Sequence, residues 1–317
     1  MTHPQSSGQA DRQLPLDGEI FLDHVGHFVR DRTAALAALA CAGFVATPIS
    51  IQVNPDAAGG PARPSGTGNA TAVFARGYVE VLFKTADTAL GRELDGALAR
   101  YPGLHLAALA VADAPAAHRR LGEAGFRMQP LVEMQRPADT AQGPDIAAFT
   151  IARVEPGQMA EGRIQILTHR TEHTVWQPRW LDHPNGAHAL TSLVIAVADV
   201  AEAAARFARF AGRGAQACEG RKAITLDRGR IELMAPDAFS HRFPELAIPS
   251  LPFMGACGIA VRSLAVAAAV LRQGGIAVRR DADQLVARFP QELGTGTWTF
   301  TEAQGREPQG APPQNPA

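Results

Sequence analysis

Two ionisable side chains stand inside apolar, strand-like segments of this chain. His24 lies in Leu22-Asp23-His24-Val25-Gly26-His27-Phe28-Val29, and Glu80 in Gly77-Tyr78-Val79-Glu80-Val81-Leu82. A carboxylate between Val79 and Val81 would cost several kcal/mol if it were buried alone, so it needs a metal, a cation or a shared proton. An imidazole on such a strand is a metal ligand, a general acid or base, or a hydrogen-bonded core residue. Gln165 sits in a third segment of the same kind, Gly162-Arg163-Ile164-Gln165-Ile166-Leu167. His169 follows four residues later and falls on the same face of an extended strand.

The elements that must position these residues repeat. Around His24 the pattern alternates, with His24 and Gly26 on one face and Val25, His27 and Val29 on the other. The chain then turns through Arg30-Asp31 into a run of helix formers ending at Ala42-Gly43-Phe44, with Asp31 as N-cap and Gly43 as the glycine after the C-cap. The same strand–helix unit recurs at His105–Phe126, Leu193–Gly212 and Gly258–Ile276. From the valine that ends each strand to the glycine that ends each helix there are 14, 14, 15 and 14 positions. A spacing held that closely marks an internal repeat. Each copy is followed by strand-like segments that finish in a glycine and an alternating run, at Gly77, Gly162, Gly229 and Gly296. The unit is therefore βαβββ, four times. Sequential strands tend to be neighbours, so each unit should make a small curved sheet with its helix outside. The expected fold class is α+β: four βαβββ modules paired into two domains, whose curved mixed sheets enclose clefts. The expected boundaries are a first domain at 19–180, a linker at 181–187 and a second domain at 188–303. Polar ends at 1–18 and 304–317 are expected to be disordered.

Composition narrows the function. Net charge is −1 and charged residues make up 19% of the 317, so no basic stripe points to nucleic acid and no polybasic flank to a membrane. No apolar run reaches the ~18–20 residues of a spanning helix. The first residues lack the apolar core of a signal peptide. Cys41, Cys218 and Cys257 are far apart in apolar surroundings and read as buried thiols. The expectation is a cytoplasmic protein acting on a small molecule, with a homodimer as its possible assembly.

The repeat, a histidine on the first strand and a glutamate on the last together resemble the vicinal oxygen chelate superfamily, which includes glyoxalase I, methylmalonyl-CoA epimerase, extradiol dioxygenases and bleomycin-resistance proteins. Leu22-Asp23-His24-Val25, Gly77–Leu82 and the segment His169–Ala187 more narrowly resemble glyoxalase-like domain proteins. The resemblance covers about residues 19 to 302. It implies metal ligands on the first and last strands of two units that share a cleft. By the repeat alignment those positions are His24, Leu106, Ser192 and Ala256 on first strands, and Glu80, Gln165, Glu232 and Thr299 on last strands. The N-terminal pair of units is thus the candidate site, and the C-terminal pair, with Glu232 alone, is degenerate. His24, Glu80 and His169 form the implied metal set, suited to Fe, Mn, Zn or Ni without choosing among them. His105 is an alternative donor if a bulge re-aims its strand. Leu106 departs from the four-ligand glyoxalase pattern.

Around this set, Glu80 is the expected catalytic base. Asn69, Thr67, Gln165 and Trp176 are the expected substrate-binding residues. Gly66-Thr67-Gly68-Asn69 closes a glycine- and proline-rich stretch from Pro55 that reads as a loop and candidate lid. Trp176 and Trp180 lie in the segment joining the halves, where packing is their alternative role. Arg179 is a candidate clamp for an anion. The function implied is a metal-dependent lyase, isomerase or dioxygenase on a small oxygenated molecule. The alternative is a binding protein that sequesters a small molecule without reaction.

Overall fold

The structure is a computed structural model that describes residues 12–54, 60–218 and 220–303. The expectations of disorder at residues 1–11 and 304–317 lie outside the described residues. Residues 12–18 are held against the fold, with Gln13 Nε2 donating to the Ala75 carbonyl and Arg12 paired with Glu19.

The first unit runs β1 (Ile20–Phe28), α1 (Arg32–Cys41), β2 (Ser50–Asn54), β3 (Arg63–Val73) and β4 (Tyr78–Lys84). After an added helix, α2 (Ala89–Arg100), the second runs β5 (Gly103–Val111), α3 (Ala114–Glu123), β6 (Val132–Thr140), β7 (Gly143–Arg153) and β8 (Arg163–His169). The third is β9 (Ala187–Ala196), α4 (Val200–Ala211), β10 (Ala215–Cys218), β11 (Arg221–Thr225) and β12 (Arg230–Met234). The fourth, after α5 (Pro236–Arg242), is β13 (Phe253–Val261), α6 (Leu264–Gln273), β14 (Val278–Asp281), β15 (Gln284–Arg288) and β16 (Thr297–Glu302). Each unit's helix starts on a capping side chain: Asp31, Asp113, Asp199 and Ser263 accept from backbone N–H groups of the first turn. Each is followed by a glycine with positive φ, at Gly43, Gly125, Gly212 and Gly275, where a side chain would be strained.

Within the first half the strands are ordered β1–β4–β3–β2 and β5–β8–β7–β6, with β1/β4 and β5/β8 parallel. Antiparallel pairing of β1 with β5 joins the two sets over most of their length. Across the other seam β2 meets β6 at one pairing, Val53 with Gln135. The result is a mixed, barrel-like sheet. The third and fourth units join through β9 and β13 in the same way, and no pairing of β10 with β14 appears among the described residues.

The halves meet through strand pairing, Met254 of β13 with Leu104 of β5, which makes one continuous sheet of the two, and through contacts between their helices. Arg120 on α3 donates to the carbonyls of Arg209 and Phe210 at the end of α4. A Cβ built on Gly274, after α6, would lie 1.8 Å from the Cys41 carbonyl at the end of α1. One hydrophobic cluster runs from Ile20 to Phe300 through all four units. Two separate smaller clusters fill the interior of the first half and the concave face of the second. No helix among the described residues is long and apolar enough to cross a membrane.

Two expectations are corrected here. The stretch Gly66-Thr67-Gly68-Asn69 is part of strand β3, not a loop or lid; residues 55–59 of that stretch lie outside the described residues. Cys257 is buried, but Cys41 is exposed and Cys218 half-buried. Cys41 ends the helix α1, where the apolar stripe has turned away from its position.

Candidate functional site

Strand register brings the chemistry together. His24 lies opposite Ala108, Ala108 opposite Gln165, and Gln165 opposite Arg153, so these side chains share the inner face of the first-half sheet. The adjoining row is Glu80, Gly26, Leu106 and Arg163. Directly opposed residues point to the same side of a sheet, and all of these except Ala108 and Gly26 line one cleft, with Gln52, Asn69, Tyr78 and Arg136 among its other walls. Its interior of ≈ 30 Å³ is room for about two waters.

His24 is fixed on three sides. The register of β1 against β5 slips between Leu22 and His24, leaving Asp23 as an extra residue. A bulge of this kind re-aims side chains, and here Asp23 turns onto its neighbour: Oδ2 is 2.7 Å from His24 Nδ1. Tyr78 stacks on the imidazole with ring centroids 4.3 Å apart. The remaining nitrogen, Nε2, faces Glu80 Oε2 at 3.6 Å. The other Glu80 oxygen accepts from Asn69 Nδ2 at 2.5 Å and lies 3.5 Å from Gln52 Nε2. Glu80 therefore keeps one oxygen for the cleft.

Asp23 serves a second histidine. His169 Nε2 is 3.0 Å from Asp23 Oδ1. Burial by itself would raise the Asp23 carboxyl, but the charge and hydrogen bond of His169, then those of His24, carry it well below the usual carboxylate range. Burial, then the charges of Asp23 and Glu80, pushes the Tyr78 phenol well above its ordinary value.

The expected residues are thus partly assembled. His24, Glu80, Asn69 and Gln165 line the cleft. His169 does not join them: it lies on the same strand face, but its ring packs against Phe149 and Trp176 and its Nε2 is engaged by Asp23. Thr67 is fully buried and reaches the cleft only through Gln52, whose Oε1 its hydroxyl donates to at 2.5 Å. Trp176 is buried beside Tyr78 and His169, with Nε1 donating to the Phe74 carbonyl, so it packs the barrel end and does not line the cleft. His105 is no substitute donor, because it lies away from this cleft, stacked on Tyr101 and lining a neighbouring cavity. Arg179 reaches out to Asp139 and lies over Trp180. In the second half Glu232 is buried and neutralised by Arg221, Arg230 and Arg242, a structural role.

Whether these residues fit a resident divalent ion is decided by the donors. His24 Nε2 and Glu80 Oε2 are spaced as two ligands could be. A third protein donor is missing: His169 is committed to Asp23, Leu106 is apolar, and Gln165 Oε1 accepts from Arg153 Nε at 2.9 Å. Among the described residues no three His, Cys, Asp or Glu side chains converge. The set His24, Glu80 and His169 therefore does not fit a three-ligand centre.

Sequence reasoning missed Asp23 and the arginines. Asp23 stands in an apolar strand just as Glu80 does, and the same desolvation argument points to it. Arg136, Arg153 and Arg163 all line the cleft. Arg136 is 6% exposed and has no hydrogen bond or ion pair among the described residues. Burial lowers its pKa, opposed by interaction with Tyr78 and Glu80.

Comparison with known proteins agrees with this fold. The chain resembles a hypothetical protein from Staphylococcus aureus at TM-score 0.62 and 9% identity, over 90% of this chain and 99% of that one. A triple mutant of 4-hydroxymandelate synthase from Streptomyces coelicolor matches at TM-score 0.55 and 14% identity, over 92% and 95%. A xylose isomerase-like TIM barrel/4-hydroxyphenylpyruvate dioxygenase fusion protein matches at TM-score 0.53 and 12% identity, over 98% of this chain and 52% of the fusion. No curated protein matches in sequence. The family model described as a glyoxalase-like domain matches residues 22–211, more than half of the chain and the whole of the cleft just described. The chain belongs to the glyoxalase-like domain family, within the vicinal oxygen chelate superfamily.

Proposed function

We propose that this protein is an enzyme of the lyase or isomerase kind that moves a proton on a small oxygenated molecule held in the first-half cleft. The observation that carries the reading is the Asp23–His24–Glu80 constellation: Asp23 holds His24 Nδ1 at 2.7 Å, and Nε2 faces the one free oxygen of Glu80 at 3.6 Å. A carboxylate that orients an imidazole fixes which nitrogen reaches the substrate and stabilises the imidazolium when it forms.

In this reading Glu80 Oε2 takes a proton from the carbon next to a carbonyl. Asn69 and Gln52 hold the other oxygen, so one oxygen is presented and not two. His24, entering as the imidazolium whose Nδ1–H is held by Asp23, gives its Nε2 proton to the carbonyl oxygen to leave an enediol, and takes a proton back from the neighbouring hydroxyl as the new carbonyl forms. The Arg136 guanidinium, buried at the same cleft, stabilises the negative charge that develops on the carbonyl oxygen before the proton reaches it. Return of the proton to the neighbouring carbon completes an isomerisation, and loss of a leaving group from it completes an elimination. A metal-assisted lyase or a dioxygenase would need a third protein donor beside His24 and Glu80. The second reading, a binder without turnover, is favoured by the lack of a third protein donor beside His24 and Glu80 among the described residues.

The test is solvent exchange. Small 2-hydroxy- and 2-oxo-carbonyl compounds are incubated with the protein in D₂O and deuterium uptake at carbon is followed by NMR. Wild type should catalyse exchange on at least one compound, and Glu80→Gln should slow it about 10²-fold or more, the range for a positioned base. Saturable binding without exchange would favour the binder. Stoichiometric uptake of Zn or Mn that restores a lost activity would overturn the reading without a metal.

A further inference from the structure

A second cavity, of ≈ 320 Å³, lies beside the first and shares two of its walls, Arg153 and Arg163. The register explains the partition. Gln165 lies opposite Arg153, and Arg163 is two residues from Gln165 on the same strand face, so the two guanidiniums are diagonal neighbours.

Their charge is not balanced. Arg163 is 8% exposed, lies over the Phe28 ring at 5.2 Å and gives its Nε to Glu93 at 3.0 Å, but its Nη2 is buried with no partner. Arg153 gives its Nε to a neutral amide, Gln165, and no carboxylate is within ion-pair distance of it among the described residues. The cavity's other acid, Glu155, is already paired with Arg127 at 2.7 Å. Arg100 at the same cavity is held by the carbonyls of Ala160 and Pro252. Burial first, and the neighbouring Arg163 charge second, lower the pKa of Arg153 to about 10. Two adjacent buried cations with one carboxylate between them are costly unless an anion joins them.

We infer that Arg153 and Arg163 form an oxyanion site, which takes the carboxylate or phosphate group of a small molecule whose remainder lies in the second cavity. Guanidinium forks match the geometry of both groups. The site stands apart from the reaction proposed above, since it is defined by binding and not by turnover.

The experiment is calorimetric titration of the full chain at low ionic strength and pH 7, with inorganic phosphate in one series and sodium acetate in another. Wild type should bind at least one of them saturably, and preference for phosphate or acetate assigns the group. Arg163→Gln and Arg153→Gln should each weaken binding at least 10-fold. Glu93→Gln separates an anion site from a structural ion pair: Glu93 is half-exposed on α2, so the variant should fold, and freeing Arg163 should tighten binding several-fold. Glu80→Gln removes the proposed base and a negative charge that acts on Arg153, so it should lose exchange activity without weakening this binding, which keeps this site's fate separate from that of the proposed reaction. Absence of saturable heat in wild type up to about 10 mM of either anion would overturn the inference. So would Glu93→Gln binding no tighter than wild type. If either arginine variant fails to fold, the Glu93→Gln comparison and the phosphate-dependent rise in wild-type Tm decide the matter.

Discussion

Asp23 holds two imidazoles at once, and its removal separates positioning from packing. In Asp23→Asn the amide can still bond to His24 and His169, but it cannot stabilise an imidazolium and it permits the wrong tautomer. Exchange activity should fall about 10²- to 10⁴-fold while the substrate's KM changes little. Steady-state kinetics read both, and an equal loss in KM would assign Asp23 to binding. Asp23→Leu should instead lower stability, because the two histidines would be left buried without an acceptor. The sequence named His24, Glu80 and Gln165 as neighbours through repeat position, and Asn69 through the family resemblance. For His169, period-2 alternation gave the correct strand face but not the depth along the strand, and for Trp176, in the segment after β8, the packing role stated as the alternative is the one the structure shows. Those two rings fill the barrel end against each other.

At the level of elements, helix contacts are part of the joint between the halves. Gly274 follows α6 and its Cα abuts the last turn of α1, so that a methyl there meets the Cys41 carbonyl. The obstacle is backbone and not a flexible side-chain end, so the helices must move apart. Gly274→Ala should therefore cost about 1–3 kcal/mol or more, read by urea unfolding. Gly275→Ala, with nothing near its Cβ position but a positive φ of 77°, should cost about 1 kcal/mol from backbone strain alone. The reverse order would disprove close packing at Gly274. Helix starts and stops were legible in the sequence because capping is local chemistry within four residues. Strand β3 was not, since Gly66 and Gly68 read as loop residues. Their small size instead makes room in a sheet for Thr88 and Phe83.

For the whole molecule, buried neutral histidines set the acid limit of stability. Burial, opposed by a hydrogen bond to the Leu293 carbonyl, lowers His27 to about 4 from its ordinary 6.5. Burial likewise lowers His105 to about 4. Both bind a proton in the unfolded chain below about 6.5 but stay neutral in the folded one until about 4. Stability is thus intact above that upper value and falls as pH drops between the two, by on the order of 1.4 kcal/mol per pH unit for each group. Asp23 acts in another window: its depressed carboxyl adds stability that is lost only as pH falls below the ordinary carboxylate range. Urea unfolding at pH 7, 6 and 5 should show this slope, and His27→Gln should remove about one proton's worth of it. An unchanged slope would mean that His27 titrates normally. His27 faces Phe289 and Trp298 of the fourth unit, so this term exists only because the halves share a core. For the same reason a chain ending near residue 188 would expose the cluster that runs from Ile20 to Phe300.

What the sequence determined by itself was whatever depends on short-range periodicity. The βαβββ order, the four capped helices and the placing of His24 and Glu80 on inward strand positions all follow from alternation, caps and glycine spacing within one unit. The tertiary structure alone decided which of those inward groups meet. A one-residue bulge turned Asp23 onto His24, the shared carboxylate drew His169 out of the expected metal set, and the pairing of β8 with β7 set Arg153 beside Arg163. These depend on register between strands far apart in the chain. A slip of one residue there reverses every side chain, and no local pattern records it.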